Sequence, residues 1–304
     1  MLPKADRASD TELLSAWDIG PHSLERLGAT QNHAYRVDAA DGRRYLLRIH
    51  VSHRLSAEID AELAWLELLT AFGEVAVPGP VRPRGGGWTA DTEENGVRRS
   101  MSLLRWIDGT MLSALPPTAD VQPFARALAA LHRRGSDPDA AGLGRSRRAY
   151  DMDYVRRRLA VLERSCPEEL ARGSTRQDLS NGASALEAAL RESGDAIMVH
   201  GDYHPGNLIL GNGRAAVIDF DRCGLGPAAM DVASAILYLL PRQRIRFHEA
   251  YADAGGPARV EKATFGTFLF LAYLDNVAHL SKVAGERATM AGNVAQLAAF
   301  ARAL

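Results

Sequence analysis

Polar residues whose types and spacing could support catalysis are concentrated in the second half of the chain. Residues 200–207 read HGDYHPGN, and VIDFD follows at 217–221. The two stretches contain two histidines, one asparagine and three aspartates: His200, Asp202, His204, Asn207, Asp219 and Asp221. Such a set could bind zinc through imidazole and carboxylate ligands, or it could transfer a phosphoryl group with the help of magnesium.

A zinc site is the weaker of these two interpretations. His200, Asp202 and His204 alternate, so they would face the same side of an extended strand. Pro205 and Gly206 follow at once, however, and no further histidine stands at a ligand-like spacing. A helical HExxH motif is also absent from the sequence.

Phosphoryl transfer fits the spacing better. Kinase-type sites have an aspartate and, after four intervening residues, an asparagine on one loop, and a further aspartate follows the next hairpin. Asp202 and Asn207 have this spacing, and Asp219 ends the following pair of predicted strands. The triphosphate of a nucleotide also needs magnesium, which prefers oxygen ligands such as these.

The elements that would complete such a site lie in the first hundred residues. Alternating apolar residues predict strands at 33–40 and 43–50, joined by a DG turn. An amphipathic helix is predicted at 56–73, where Ser56 can cap the start and Gly73 can end the helix. Further strands and hairpins are predicted up to residue 107.

Two charged residues of these elements are candidates for binding the phosphates. Arg48 lies on the second of the predicted strands, the place of the third strand in a kinase-type sheet, and Glu62 lies on the helix that follows. Lysine is usual at the first position, but arginine can also bind phosphate oxygens, in a bidentate way. Glu62 would pair with it, although Glu58, one turn earlier, could take that role or Glu62 could be a solvated helix residue.

Helices dominate the sequence after DGT at 108–110 and LPP at 115–117, which mark a predicted boundary between an N-lobe (1–107) and a C-lobe (108–304). Helices are predicted at 121–134, 151–165, 178–193, 228–240, 243–253, 258–283 and 287–303. Short strands are predicted at 196–200, 207–210 and 215–220, so the polar residues would lie at strand ends and in loops.

Composition excludes several other classes of protein. The 304 residues have a formal net charge of −1, which disfavours a nucleic-acid partner. Two cysteines make no disulfide framework and fit a reducing cytoplasm. The most apolar stretch, 265–274, is too short to span a membrane, and no secretion signal is recognised. Arginine clusters at 145–148 and 156–158 are interpreted as solvated helix faces, or else as a patch for an anionic substrate.

The order of these motifs resembles the aminoglycoside phosphotransferase and choline kinase superfamily, in particular its branch with homoserine kinase type II and the stress-response kinases. The resemblance covers residues 31 to about 237 and rests on QNHAYRV, YLLRIH, AELAWLELL, VPGPV, LLRWIDGTML, ALAALH, VHGDYHPGNLIL and VIDFDRCGLGPAAMDVASAI. It implies an α+β, bilobal protein-kinase-like fold with an antiparallel N-lobe sheet and a mainly helical C-lobe.

The resemblance also implies roles for single residues. Asp202 would be the catalytic aspartate, Asn207 and Asp219 the Mg²⁺ ligands, and Arg48 with Glu62 the ion pair at the phosphates of ATP. Asp221 would lie near the metal or the substrate. His204, together with His200, is interpreted as a residue that orients the loop, and it stays a candidate for contact with the substrate.

Three further features are implied at the nucleotide and at the catalytic loop. The hinge would be formed by Leu104, Arg105, Trp106 and Ile107, whose backbone would meet the adenine, and Trp106 would either stack on the base or belong to the core. The loop at 28–34 would cover the phosphates. Asp231 would brace the catalytic loop, unless it is an exposed acid in the first turn of its helix.

The leading hypothesis is therefore an ATP-dependent kinase that phosphorylates a hydroxyl of a small molecule, such as an amino alcohol, a sugar or an antibiotic. A stress-response-type Ser/Thr protein kinase is the second hypothesis, but the sequence continues directly into a helix after IDFD. A pseudokinase or binding module is the third, suggested by Arg48 in place of lysine and opposed by Asp202, Asn207 and Asp219. Acceptor and oligomeric state are left open.

Overall fold

The computed structural model describes residues 13–29, 33–51, 54–94, 96–111, 118–211, 213–258 and 262–304. Its strands are β1 (His22–Ala29), β2 (His33–Ala39), β3 (Arg44–Ile49), β4 (Pro80–Val81), β5 (Ala90–Glu94), β6 (Val97–Arg105), β7 (Thr110–Met111), β8 (Arg148–Ala149), β9 (Ile197–Val199), β10 (Leu208–Gly211), β11 (Arg214–Val217) and β12 (Gly224–Gly226). Its helices are α1 (Ser56–Phe72), α2 (Gln122–Gly135), α3 (Pro138–Gly144), α4 (Met152–Ser165), α5 (Pro167–Leu170), α6 (Thr175–Glu192), α7 (Ala228–Leu237), α8 (Pro241–Asp253), α9 (Lys262–Leu280) and α10 (Met290–Arg302).

An antiparallel sheet forms the N-terminal part. Its strands follow the order β1-β2-β3-β6-β4, and β5 pairs with β6. The predicted turn between β2 and β3 is present, and Gly42 adopts φ 83° there, a conformation that glycine reaches without a steric penalty. Arg48 on β3 lies opposite Ala34 and Ser102 in the register of the sheet.

Helix α1 follows β3 and ends where the sequence predicts. Gly73 has φ 68°, and its N–H donates to the carbonyl of Leu69 at 3.2 Å. The predicted cap is wrong, because Ser56 is already helical and the capping position belongs to Leu55, whose side chain makes no capping hydrogen bond. The apolar residues at helical spacing, among them Ile59 and Leu63, are buried.

The core that buries α1 extends into the helical part of the chain. Leu63 belongs to the same apolar cluster as Phe124 of α2 and Leu208 of β10. The backbone continues this connection, because the N–H of Val217 donates to the carbonyl of Ala76 at 2.9 Å. The two parts therefore share a core, and the proposed division at residue 107 stays a prediction.

The part after residue 118 is mainly helical, as predicted. The hairpin of β10 and β11 pairs with β7, while β9 pairs with β12, which also pairs with β8. The sequence did not predict strand β1, which is largely exposed, or the short helix α3, which proline starts at 138. It also did not predict the short elements α5, β8 and β12. None of the described helices has the length and hydropathy needed to cross a membrane.

The shared core predicts a large effect of truncation in α1. Leu63→Ala should lower the free energy of unfolding by about 2–5 kcal/mol, because a fully buried side chain is removed. Urea denaturation followed by circular dichroism measures the change. Leu55, which is 66% exposed, is the matched control, and Leu55→Ala should stay within about 0.5 kcal/mol. Equal losses in the two variants would contradict the packing described here.

Candidate active site

A cleft of about 580 Å³ lies between the N-terminal sheet and the polar residues of the second half. Nine of the sequence-predicted site residues line it: Arg48, Glu62, Leu104, Arg105, Trp106, Ile107, Asp202, Asp219 and Asp221. Three others, Asn207, His204 and Asp231, do not line the cleft. They contact its residues or the loop that carries them.

Asp231 anchors the loop that follows β9. Its side chain is fully buried in the first turn of α7, and its two oxygens accept the N–H groups of His200 at 2.7 Å and Gly201 at 2.8 Å. Nε2 of His132 also lies 3.1 Å from Asp231. An exposed acid at this position, the alternative interpretation, is wrong. The carboxylate holds the backbone immediately before Asp202.

His200 fixes the same loop from the other side. Its Nδ1 accepts the N–H of Asp202 at 3.2 Å, so its Nε2 carries the proton and donates to the carbonyl of Ile218 at 3.0 Å. Complete burial lowers the pKa of His200 and keeps the ring neutral. This histidine therefore connects the loop of Asp202 to the end of β11, where Asp219 follows.

Asn207 is turned so that its amide oxygen stays available. Its Nδ2 donates to the backbone carbonyl of Asp202 at 2.9 Å, and its own carbonyl accepts the N–H of Ile218 at 3.0 Å. The two bonds bring Asn207 next to the residue that precedes Asp219. Because the side-chain nitrogen makes the bond to Asp202, the side-chain oxygen Oδ1 is left available for another partner.

Asp219 has an unusual backbone. Its φ of 63° is the only positive value among the non-glycine residues that the structure describes. Such a conformation is uncommon outside glycine and costs free energy, so it is typically retained where the surrounding structure or function requires it. Burial, together with the nearby carboxylates of Asp221 and Asp202, raises the pKa of Asp219 to about 6.

Asn207 and Asp219 fit a magnesium ion in their chemistry. Both offer oxygen ligands, which Mg²⁺ prefers, and burial beside the carboxylates of Asp221 and Asp202 raises the pKa of Asp219 although Arg48 opposes the shift. No group of three His, Cys, Asp or Glu side chains in the described ranges could hold a metal by itself. Asn207 and Asp219 are the residues of this chain that would hold such an ion.

The Arg48–Glu62 pair exists and is buried. Nη2 of Arg48 donates to Oε1 of Glu62 at 2.6 Å, and the Glu62 side chain is 0% exposed. Glu58, the alternative partner, is left out of this pair. Burial would raise the pKa of Glu62, but the cations of Arg48, Arg54 and Arg147 outweigh it and hold the pKa far below its usual range.

Arg54 is a part of the site that the sequence did not suggest. Its Nη2 donates to Glu62 at 2.7 Å, and its Nη1 donates to Asp221 at 2.8 Å. Asp221 also accepts from Nη1 of Arg48 at 3.1 Å. Asp221 is thus bonded to both arginines, and its expected place near a metal or the substrate stays a prediction. The only signal in the sequence for this part of the site was the presence of an arginine five residues after β3.

Arg147 corrects the interpretation of its cluster. Residues 145–148 do not form a solvated helix face, because Arg147 is buried and Arg148 begins β8. The guanidinium of Arg147 donates to carbonyls on both sides of the cleft: Glu58 at 2.7 Å, Cys223 at 3.0 Å, Phe220 at 3.2 Å and Asp221 at 2.7 Å. It thereby fixes α1 against the segment that follows Asp219.

The predicted hinge at 104–107 forms one wall of the cleft. Two of its amides are already used, since Arg105 donates to the carbonyl of Gly79 at 2.8 Å and Trp106 donates to that of Arg44 at 3.1 Å. The edge of a bound base would have to meet other backbone groups of this segment. Trp106 is half-buried in the wall, so it is not a plain core residue.

His204 lies beside Asp202, and the predicted phosphate loop is described only in part. Nε2 of His204 is 3.8 Å from Oδ1 of Asp202, and its ring packs against Tyr238 with centroids 5.6 Å apart. Its Nδ1 accepts the N–H of Gly206, which orients the loop. Residues 30–32 of the phosphate loop at 28–34 lie outside the described ranges, but Ala34 lines the cleft.

Comparison with protein-family models matches residues 23–264 to the phosphotransferase enzyme family. The chain belongs to this family. No curated protein sequence matches it. The predicted resemblance is therefore confirmed for the family as a whole, while the branch with homoserine kinase type II and the stress-response kinases stays a prediction.

Solved structures confirm the fold. The microcompartment-associated aminopropanol kinase is 23% identical with a TM-score of 0.72, over 97% of this chain and 94% of that one. Amicoumacin kinase in complex with AMP-PNP, Ca²⁺ and Ami is 18% identical, with a TM-score of 0.71 over 96% and 94% of the two chains. Spectinomycin phosphotransferase in complex with ADP and spectinomycin is 16% identical, with a TM-score of 0.65 over 96% of each chain.

The burial of Glu62 predicts a large loss of stability on neutralisation. Glu62→Gln should cost about 3–5 kcal/mol in the free energy of unfolding, because it leaves buried arginines without their counter-charge. Chemical denaturation at pH 7 measures the cost. Because the folded pKa of Glu62 is depressed, its contribution is complete above its unfolded pKa of about 4.3 and is lost as the pH falls further.

Glu67 supplies the control on the same helix. Its ion pair with Arg82 at 2.7 Å is about half exposed, so Glu67→Gln should cost less than about 1 kcal/mol. A similar small cost for Glu62→Gln at pH 7 would show that the buried network is not stabilised by this carboxylate.

Proposed function

We propose that the protein transfers the γ-phosphate of ATP to a hydroxyl group of a small molecule. The observation that carries the proposal is the meeting of Asp202 and Asp219 with the buried Arg48–Glu62 pair in one cleft, with Asn207 bonded to Asp202. This combination of an oxygen-ligand pair, a cation suited to phosphate and a partly exposed carboxylate has the parts that phosphoryl transfer needs.

The two ends of the cleft suit the two ends of a nucleotide. Apolar side chains line the end at the hinge: Leu46, Leu66, Pro78, Leu104, Ile107, Ile209 and Ile218. They would enclose a purine base, and the charged end would hold the phosphates. Arg48 has the planar guanidinium that suits phosphate oxygens, and Glu62 fixes its position.

Asp202 would orient the acceptor hydroxyl. Its Oδ1 lies 3.8 Å from His204 and 3.7 Å from Arg222, which are both too long for hydrogen bonds. The carboxylate is 29% exposed, so it can accept a hydrogen bond from an incoming hydroxyl. In a loose transition state it would mainly align the nucleophile and take the proton late.

Magnesium, when bound, would neutralise charge on the transferred phosphoryl group and its leaving oxygen. The residues of this chain that would hold it are Asn207, through Oδ1, and Asp219, through its carboxylate. The His200 and Asp231 bonds described above would keep these ligands and Asp202 in a fixed arrangement.

The length of the connection after Asp221 favours a small acceptor. Helix α7 begins at Ala228, and residues 224–226 of the intervening segment form β12. This leaves no room for the long segment with which protein kinases bind a protein substrate, so a stress-response-type protein kinase is the weaker candidate. An antibiotic, an amino alcohol, an amino acid such as homoserine, or a sugar would fit the proposal.

A screen of ATP consumption tests the proposed function. Aminoglycosides, nucleoside antibiotics, macrolides, homoserine, choline and simple sugars are offered with Mg²⁺–ATP, and ADP release is compared with hydrolysis in water. We expect at least one hydroxyl acceptor to raise ADP release and excess EDTA to abolish it. Calorimetry completes the test, since failure of the protein to bind ATP in the presence of Mg²⁺ would overturn the proposal.

Asp202 separates an enzyme from a binding module. Asp202→Asn keeps the shape but loses the negative charge, so kcat should fall by about 10²–10⁴-fold, which is typical for a positioned general base. ATP affinity with Mg²⁺ should stay within about threefold, because Asn207 and Asp219 keep the metal. Coupled ADP release and calorimetry give the two values.

Asp195, exposed in the segment before β9, provides the control for Asp202. Asp195→Asn should change neither quantity. An unchanged kcat in Asp202→Asn would mean that Asp202 only shapes the loop, whereas a parallel loss of nucleotide binding would make it a metal ligand.

A further inference from the structure

Beyond Asp202 the cleft has a cationic wall. Arg222 ends the short turn Phe220–Arg222 that follows Asp219, and it lines the cleft together with Asp202. Its Nη1 lies 3.7 Å from Oδ1 of Asp202, and its side chain is 14% exposed. Any hydroxyl that Asp202 orients would therefore come close to this guanidinium.

The nearest acid behind Arg222 is already occupied. Asp275 of α9 is buried, and its Oδ1 accepts the hydroxyl hydrogen of Tyr154 and lies 2.8 Å from Nε of Arg158. Nη1 of Arg222 approaches its other oxygen only at 3.4 Å. Asp275 is therefore already paired with the cation of Arg158 and the hydroxyl of Tyr154, even without Arg222. Its negative charge offers little attraction to a cationic substrate.

The charges around this end of the cleft do not balance. Within the part of the chain that the structure describes, only Asp202 and Asp275 come within 4 Å of the Arg222 guanidinium as acids, and Asp275 is shared with Arg158. Arg148 adds a further positive charge nearby. Arg148 uses its Nη2 on the carbonyl of Asp221 at 3.3 Å. The described residues place no hydrogen-bond acceptor against Nε or Nη2 of Arg222, so these donors are available to a ligand in the cleft.

We infer that the hydroxyl acceptor carries an anionic group, a carboxylate or a phosphate, which Arg222 binds beside the reacting hydroxyl. This inference rests on the proposed function of the same site. A guanidinium binds either anion through two parallel hydrogen bonds, each about 2.8 Å long. Because Arg222 and Asp202 are so close, the anionic group and the hydroxyl are separated by only a few bonds.

Arg222 also answers an electrostatic problem of such a reaction. An acceptor with a negative charge is repelled by the γ-phosphate that it has to approach, and this repulsion is strong in a partly buried cleft. The cation of Arg222 offsets it at the acceptor. An amino alcohol would meet the opposite situation, because its ammonium group would be held near three arginines.

Matched sets of acceptors test the charge of the substrate. The first set is homoserine, homoserinamide and aminopropanol. The second set is glycerate, glyceramide and glycerol, and glycerol phosphate is added to it so that a phosphate group can be compared with a carboxylate. Coupled ADP release gives kcat/KM for each compound above hydrolysis in water. We expect the member of a set that carries a carboxylate or phosphate to exceed its partners without that group by about tenfold or more.

Arg222 variants connect that preference to the residue. Arg222→Gln should raise KM for the anionic acceptor by about 10–100-fold, as expected for loss of a charge-assisted hydrogen bond, and should leave KM for the neutral member nearly unchanged. Arg222→Lys should recover part of the loss. Arg156, which is exposed on α4, is the control, because Arg156→Gln removes one positive charge outside the cleft.

Two results would overturn the inference. One is equal or better use of the neutral or cationic members, which includes a panel in which no anionic member exceeds hydrolysis in water. The other is an anion preference that Arg222→Gln does not reduce. ATP binding with Mg²⁺, measured by calorimetry on the same preparations, distinguishes these results from failure of the proposed kinase function, which would remove nucleotide binding as well.

Discussion

The site depends on one buried carboxylate. Glu62 is 0% exposed, and an ionised group in such a place must be neutralised by close cations or it would cost several kcal/mol. Arg48 and Arg54 each donate to one of its oxygens, and Nη1 of Arg147 lies 3.7 Å away. These three arginines come from β3, from the segment before α1 and from the segment before β8. Neutralising Glu62 therefore fixes the relative positions of three distant parts of the chain.

The same network reaches the proposed metal site through the backbone. Arg147 donates to the carbonyls of Phe220 and Asp221, directly after Asp219, and to that of Glu58 on α1. Because α1 carries Glu62, the position of the phosphate-binding pair is coupled to the position of Asp219. Rigid coupling of this kind is what a reaction that depends on alignment needs, since small displacements of the reacting groups are costly.

How much the sequence could predict follows from the distance between partners. Asp202, Asn207 and Asp219 lie within a short stretch, so their spacing alone indicated their chemistry. Arg54 and Arg147 could not be found in this way, because they meet Asp221 or Glu62 only in the folded chain, and Arg147 stands in a cluster that composition alone makes look solvated.

The fold shows the same limit. Alternation and a turn signal predicted β2 and β3, and apolar residues at helical spacing predicted α1, whereas the largely exposed β1 has no regular apolar pattern to reveal it. Ser56 was expected to cap α1 because serine often does so, but the helix begins at that residue. The path by which the chain enters the helix, which no single residue determines, therefore outweighed the capping preference of serine at this position.

The network also explains how arginine can stand where lysine is usual. Four hydrogen bonds form a closed ring in which Arg48 and Arg54 each donate to both Glu62 and Asp221. A lysine ammonium is a point charge without the planar fork that this ring uses. The longest of the four bonds, at 3.1 Å, joins Arg48 to Asp221. On the proposed function, this bond is the one that Arg48 would give up to bind a phosphate. Glu62 would still hold Arg48, and Arg54 would still neutralise Asp221, so no buried carboxylate would be left without a cation.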